Sequence, residues 1–355
     1  MNIYIHIPFC SRICSYCTFA KVASDNSEIH QKYFEALKKE IVSRLKLHKY
    51  KNIQTIYFGG GTPSLIPQDI LGDFFTFLKD QFQISNETEI TLECHPATVT
   101  AEKAKFWEEI GVTRLSLGVQ SFLQKFDVFL ERDLSYTIRA LEILQRRKYD
   151  LSIDLIFGFP EQTQGDLEED LTMISQFNVD HISYYALDYK VHSKIEQEKD
   201  RRLSFSLIQK YYQILCSYLK IKGFDNYELY NFGKKSLHNL GFWEQKDYIG
   251  FGLSAVSCVN KSIRKNTHNL SEYLNGNWME DEYLLSSEEY FEQYLKRGLR
   301  LTQGVSIQDL ENHFGKKQVD KIVQKAHTAQ SWMDCSVGKL SLKEEGKMNF
   351  FESIE

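Results

Sequence analysis

From residue 3 to residue 186 the chain repeats one unit, a short apolar strand followed by an amphipathic helix. The apolar runs predict strands over 3–7, 55–58, 89–92, 114–119, 151–157 and 181–186. Between them, apolar residues at helical spacing predict helices over 29–47, 67–82, 101–110, 136–147 and 165–177. Thr100 supplies a helix N-cap and Gly111 a C-cap. Strands joined by helical crossovers make a parallel sheet covered on both faces. Six such units predict an α/β fold, a partial (β/α)6 TIM-like barrel rather than the closed eightfold one. In such barrels function gathers at the C-terminal ends of the strands. Cys10, Gly59, Glu93, Gln120 and Ala186 fall at predicted strand ends, whereas Asp154 sits inside a strand.

Beyond the sixth strand the pattern changes. A long amphipathic helix is predicted over 203–221 and an extended segment over 226–232. A turn-rich stretch follows from Gly233 to Gly276. Three short helices, 288–298, 306–314 and 317–327, and an extended segment, 339–342, then suggest a small winged-helix-like unit. The expected division is a barrel (1–232), a connecting segment (233–285) and a C-terminal, mostly helical winged-helix-like domain (286–355). A winged helix can bind DNA, but a net charge of −5 with dispersed Lys and Arg gives no global attraction to nucleic acid. The tail therefore reads as a lid or partner surface. No run approaches the ~18 apolar residues of a membrane span, and no secretory signal precedes the first strand. The expected setting is the reducing cytoplasm, or an organelle whose targeting peptide has been removed, with Cys94, Cys216, Cys258 and Cys335 as free thiols.

The first strand runs directly into Cys10-Ser-Arg-Ile-Cys14-Ser-Tyr-Cys17. Spacings of three and two residues let three thiolates converge on one face of a compact group, and thiolates are the ligands of iron–sulfur centres. The fourth iron of a cubane would stay open for a small molecule, as catalytic metal sites keep an open position. A zinc site would want a fourth Cys or His, which positions 11, 12, 15, 18 and 19 do not supply, and His6 lies back in the strand. Disulfide pairing leaves an odd cysteine.

The cysteine spacing after Tyr4-Ile-His-Ile-Pro-Phe9 resembles the signature of radical S-adenosylmethionine (SAM) proteins. More narrowly, it is similar to the branch holding oxygen-independent coproporphyrinogen III oxidase and its heme-chaperone relatives, and the similarity spans nearly the whole chain. The resemblance implies a [4Fe-4S] cluster on Cys10, Cys14 and Cys17. It implies a SAM cradle at Gly60, Gly61 and Thr62, within Tyr57-Phe-Gly-Gly-Gly-Thr-Pro63, and flanking contacts at Tyr4 and Tyr16. On the residues alone such a glycine run is more often a tight turn than a cradle; no Lys-Ser/Thr pair follows it to hold a phosphate. Further SAM contacts are implied at Glu93, Gln120, Arg132, Asp154, Ala186 and Val256. An Asp inside an apolar strand is costly unless satisfied, which singles out Asp154 on physical grounds. The usual Gly-Arg-x-His string of the family here reads Glu131-Arg-Asp-Leu134, which keeps the arginine alone.

Two features separate the branches. The oxidases carry a further Cys two positions after the third, where this chain has Phe19. The string His238-Asn-Leu-Gly-Phe-Trp243 resembles the chaperone branch's His-Asn-x-x-Tyr-Trp, with Phe242 for tyrosine. Imidazole can ligate iron and an indole can stack on a macrocycle, so His238 and Trp243 are the expected heme contacts, at the strand-end rim. Core packing of the same residues is the competing reading. The implied function is a heme chaperone that binds heme as cargo and passes it to a recipient hemoprotein. An electron donor for the cluster is implied as well, and a homodimer is compatible with the pattern. The rivals are a genuine coproporphyrinogen oxidase, which would oxidatively decarboxylate propionates, and a non-enzymatic interaction protein with a vestigial cluster site.

Overall fold

Alternation within single strands decides the architecture. In Arg114-Leu-Ser-Leu-Gly-Val-Gln120, Leu115, Leu117 and Val119 are fully buried in the apolar core. Arg114, Ser116, Gly118 and Gln120 point the other way and line a cavity inside the barrel. The computed structural model describes residues 1–45, 52–130, 133–190, 193–327, 332–336, 338–343 and 346–347. The six expected strands are β1 (Asn2–Ile7), β2 (Thr55–Gly60), β3 (Glu89–Cys94), β4 (Arg114–Gln120), β5 (Asp150–Phe157) and β6 (His181–Ala186). They are parallel and hydrogen-bonded in chain order.

The crossover helices are α1 (Ser27–Leu45), α2 (Gln68–Gln81), α3 (Ala101–Ile110), α4 (Leu134–Leu144) and α5 (Gln164–Ile174). Predicted position 47 of the first helix lies outside the described residues. Thr100 caps α3 by accepting from the Lys103 N–H, and Gly111 ends it at φ 106°, where a Cβ would be strained. Helix α4 begins two residues before its predicted start, because the Asp133 side chain accepts from the Ser135 N–H.

The stretch after α6 (Phe205–Ile221) holds more regular structure than its turn-rich composition suggested. Strands β7 (Asn226–Glu228) and β8 (Asn231–Gly233) extend the sheet antiparallel from β6, and α7 (Leu237–Trp243) follows. Strand β9 (Tyr248–Phe251) then pairs parallel with the free side of β1. β10 (Val256–Val259), β11 (Ser262–Asn266) and β12 (Met279–Leu284) complete a twelve-stranded sheet. These strands have four to six residues, so turn residues dominate the composition. Asn260 and Lys261 both take positive φ at the β10–β11 hairpin, as a two-residue type I′ turn requires.

The C-terminal unit packs three helices, α8 (Ser287–Gly298), α9 (Ile307–Phe314) and α10 (Lys316–Ala326), with a three-stranded sheet. That sheet is β13 (Val305–Ser306), β15 (Lys339–Leu342) and β14 (Met333–Ser336), in that order, and only its central strand, β15, was expected. A half-buried ion pair, Arg300 Nε to Glu228 Oε2 at 3.3 Å, and a bridge between Glu228 and Leu301 fix the unit to β7. No described helix is long and apolar enough to cross a membrane.

Candidate functional site

The cysteine loop is pinched at its base. Phe9 and Cys10 pair with Val22 and Ala23, and the Val22 N–H donates to the Pro8 carbonyl at 2.7 Å. His6 ties the loop's return strand to β1. The Ala20 carbonyl can only accept, so His6 Nε2 carries the proton it donates there at 2.8 Å, and Nδ1 accepts from the Tyr4 hydroxyl at 3.0 Å. Burial pushes the His6 pKa down to about 4, which keeps this tautomer neutral near pH 7. None of the three cysteines is in a disulfide. Burial raises the pKa of Cys10, while a hydrogen bond with Thr62 works against that shift. Among the described residues no three His, Cys, Asp or Glu side chains close to the spacing of a single bound metal ion. The donor set offered by the loop is three thiols alone, the set suited to an iron–sulfur cluster.

The glycine run docks onto this base. Gly61 N–H donates to the Ile7 carbonyl at 2.8 Å and Thr62 N–H to the Phe9 carbonyl at 2.7 Å. A Cβ at Gly60 would stand 2.4 Å from the His6 ring, and one at Gly61 would stand 2.6 Å from the Phe9 carbonyl oxygen. The glycines are therefore required by the cysteine loop itself, before any ligand is considered. Side chains there would displace the cluster loop, so they cannot serve to separate SAM binding from cluster assembly.

Three polar side chains face the same space from neighbouring strands. Glu93 accepts from the Tyr57 hydroxyl at 2.7 Å and from Gly60 N–H at 3.1 Å. Burial nevertheless raises its pKa to about 7. Asp154 accepts from Ser116 Oγ at 2.9 Å, and burial moves its pKa up as well. Gln120 sits at φ 62° in a γ-turn closed by Ser121 N–H to the Val119 carbonyl at 2.8 Å. Buried Asp170 of α5 holds that turn by accepting from Ser121 Oγ and from Phe122 N–H. Left-handed backbone at a non-glycine residue is the strain that collects at ligand sites.

One cavity of about 810 Å³ joins these groups. Cys10, Cys14, Cys17, Tyr16, Gly60, Gly61, Thr62, Glu93, Gln120, Asp154 and Ala186 all line it. Tyr4 does not; it lies behind the wall, stacked on Tyr57 at 6.1 Å and bonded to His6. Val256 is also outside the lining, in the β10 strand that packs against the Tyr248, Cys258 and Ile263 cluster. Arg132 lies outside the described residues.

His238 is not at the strand-end rim. Helix α7 closes the opposite, N-terminal end of the barrel: Leu237 and His238 N–H groups donate to Glu89, the first residue of β3. The ring lies against Tyr57 at 4.9 Å, with Nδ1 2.7 Å from Thr55 Oγ1, on the first residue of β2. Thr55 uses its own proton on Asn2 Oδ1 at 3.1 Å, so His238 Nδ1 is the donor and Nε2 keeps its lone pair. Burial and the Arg114 charge hold its pKa down to about 3. The Trp243 ring is not open for stacking on this face either, since the Arg300 guanidinium sits 4.2 Å from its centroid. Of the His-Asn-x-x-Phe-Trp string, Asn239 is the residue that lines the cavity. Arg114, Ser116 and Ser183 line it too and were not singled out from sequence, although the polar face of 114–120 carried the signal.

The model of the radical SAM superfamily matches residues 4–174. Heme chaperone HemW of Bacillus subtilis is 30% identical over 88% of this chain and 86% of its own length. Heme chaperone HemW of a Buchnera aphidicola from Schizaphis graminum is 28% identical over 96% of each chain. Coproporphyrinogen III oxidase (HemN) from Escherichia coli, described as a radical SAM enzyme, superposes with a TM-score of 0.83. The superposition covers 99% of this chain and 88% of that one at 19% identity, a likeness of fold.

Proposed function

The chain belongs to the heme chaperone HemW family of the radical SAM superfamily, and from that premise we propose that it holds an open [4Fe-4S] cluster, binds SAM beside it, and carries heme to a recipient hemoprotein in the cytoplasm. The observation that supports this most directly is the single cavity shared by the three thiols, the glycine run and the polar strand ends. In this reading Cys10, Cys14 and Cys17 ligate the cluster, which supplies one-electron chemistry when bound. Backbone groups of Gly60, Gly61 and Thr62 lie along SAM, and Glu93 faces its ammonium. Gln120, Asp154 and Ala186 bound the rest of the ligand, with Arg132 as a further contact. His238 lies outside the cavity lining, against Tyr57 and Thr55, so Asn239 beside it is the residue of that string that would meet the heme.

The oxidase reading is the alternative, and it would need a porphyrinogen in the same cavity. Phe19, 63% exposed beside Cys17, occupies the position where the oxidases carry another cysteine. The test is anaerobic reconstitution followed by titration with heme, read by absorption with and without SAM. A saturable heme spectrum is expected. Absence of any heme-dependent change refutes the chaperone reading, and turnover of coproporphyrinogen III to protoporphyrinogen replaces it with the oxidase one.

A further inference from the structure

Arg114 is the buried charge that the site described so far does not use. It is the first residue of β4, at the opposite end of that strand from Gln120. Seven residues at ~3.3 Å each separate those ends by roughly 20 Å, so Arg114 belongs to the cavity floor and the cysteine loop to its mouth. The residue is 3% exposed and lines the cavity. Its one side-chain hydrogen bond among the described residues runs from Nη2 to His181 Nδ1 at 3.1 Å. No described carboxylate comes within ion-pair distance of it.

Its surroundings are arranged for a permanent cation without a counter-ion. A guanidinium only donates, so His181 Nδ1 accepts from Arg114 and also from Ser152 Oγ at 2.8 Å. Nε2–H of His181 then donates to the Tyr227 hydroxyl at 2.9 Å. His181 is thereby fixed as a neutral acceptor behind Arg114, and burial with the Arg114 charge holds its pKa well below the usual range. Three carboxyls line the cavity, and none is within ion-pair distance of Arg114: Asp188 pairs with Lys190, while Glu93 and Asp154 act on Arg114 only through space and burial favours the neutral form of both. The Arg114 side chain lines the cavity, and the His181 bond uses one of its five N–H donors. Asn239 of α7 lines the same cavity, and its helix sits on the first residues of β2 and β3. A buried, uncompensated arginine is expensive unless an anion completes it, and the planar fork matches a carboxylate.

We propose that Arg114, with Asn239, seats a carboxylate of the bound tetrapyrrole on the cavity floor. The proposal rests on the heme reading and deepens it: the ligand is recognised as an acid, at the barrel end where His238 also lies. A carboxylate could also come from SAM, whose amino-acid part has one. The experiment separates the two sources.

The full-length, cluster-reconstituted protein is titrated with heme and with heme dimethyl ester, in which both carboxylates are blocked. Wild type should bind the free acid at least about tenfold more tightly than the ester, the scale of a charge-assisted hydrogen-bonded pair. Arg114→Gln should abolish most of that preference with SAM affinity unchanged, Arg114→Lys should restore part of it, and Asn239→Ala should reduce it. Circular dichroism and melting temperature establish that the variants are folded. If Arg114→Gln does not fold, the wild-type preference and its reduction in Asn239→Ala decide the matter. Equal binding of acid and ester by wild type overturns the proposal and leaves the heme reading standing. Binding of neither overturns both. A loss of SAM affinity in Arg114→Gln with the acid preference intact assigns the seat to the amino acid and overturns the proposal.

Discussion

Gly60→Ala tests whether the glycine run serves the cysteine loop, as the geometry holds. At φ 112° the backbone is in a region that side chains rarely enter, and the added methyl would stand 2.4 Å from His6 Cε1 and 2.5 Å from Nδ1. Two costs follow. Backbone strain of this kind is worth roughly 1–3 kcal/mol. Moving the His6 ring aside also breaks its bonds to Ala20 and Tyr4, each worth about 1 kcal/mol. The expected destabilisation is about 3–5 kcal/mol by these figures. Only the second part depends on His6. In a His6→Ala background the methyl has room, and Gly60→Ala should then cost only the strain. A double-mutant cycle by urea unfolding of the four proteins should therefore show coupling of about 2 kcal/mol. Iron content after reconstitution should fall in Gly60→Ala, because the return strand at Ala20 is released. Additive costs, or a Gly60→Ala variant within about 0.5 kcal/mol of wild type, would refute the steric argument.

Cys14→Ala removes one of three thiolates and should abolish iron retention on reconstitution while far-ultraviolet circular dichroism stays unchanged; a full iron complement would place the metal elsewhere. Glu93, with its pKa raised from 4.5 to about 7, binds more protons folded than unfolded in that window. Its contribution therefore costs stability as pH rises from about 4.5 to about 7, by up to ~3 kcal/mol, and Glu93→Gln should flatten that part of the stability profile. A profile unchanged by the substitution would contradict the shift. Arg300→Ala leaves Glu228, fully buried, without its cation, which should cost about 3 kcal/mol. It should also raise hydrogen exchange in residues 287–343; exchange equal to wild type would show that the pair does not hold the C-terminal unit.

Local chemistry was legible in the sequence. The six strands, the caps at Thr100 and Gly111, the three-cysteine loop and the strand-end positions of Glu93 and Gln120 depend on patterns a few residues long. Periodicity and backbone preference act on that scale, so the barrel and one face of the cavity could be read from it. The polar face Arg114, Ser116, Gly118, Gln120 was equally present as a period of two. Its meaning depended on which side of the strand the barrel encloses.

The rest was decided by contacts between distant residues. That Gly60 is held by His6, 54 positions earlier, follows from the β1–β2 register, which places Ile7 opposite Gly60. The pairing of Tyr248–Phe251 with β1, 246 residues away at Asn2 and Tyr248, is set by a free strand edge that needs a partner and not by local propensity. That pairing brings α7 under the barrel, where His238 meets Thr55 and Asn239 meets the cavity. A motif fixes which side chains lie next to one another along the helix. Which of them turns inward is fixed by the surface the helix docks on, and only the tertiary structure contains that surface.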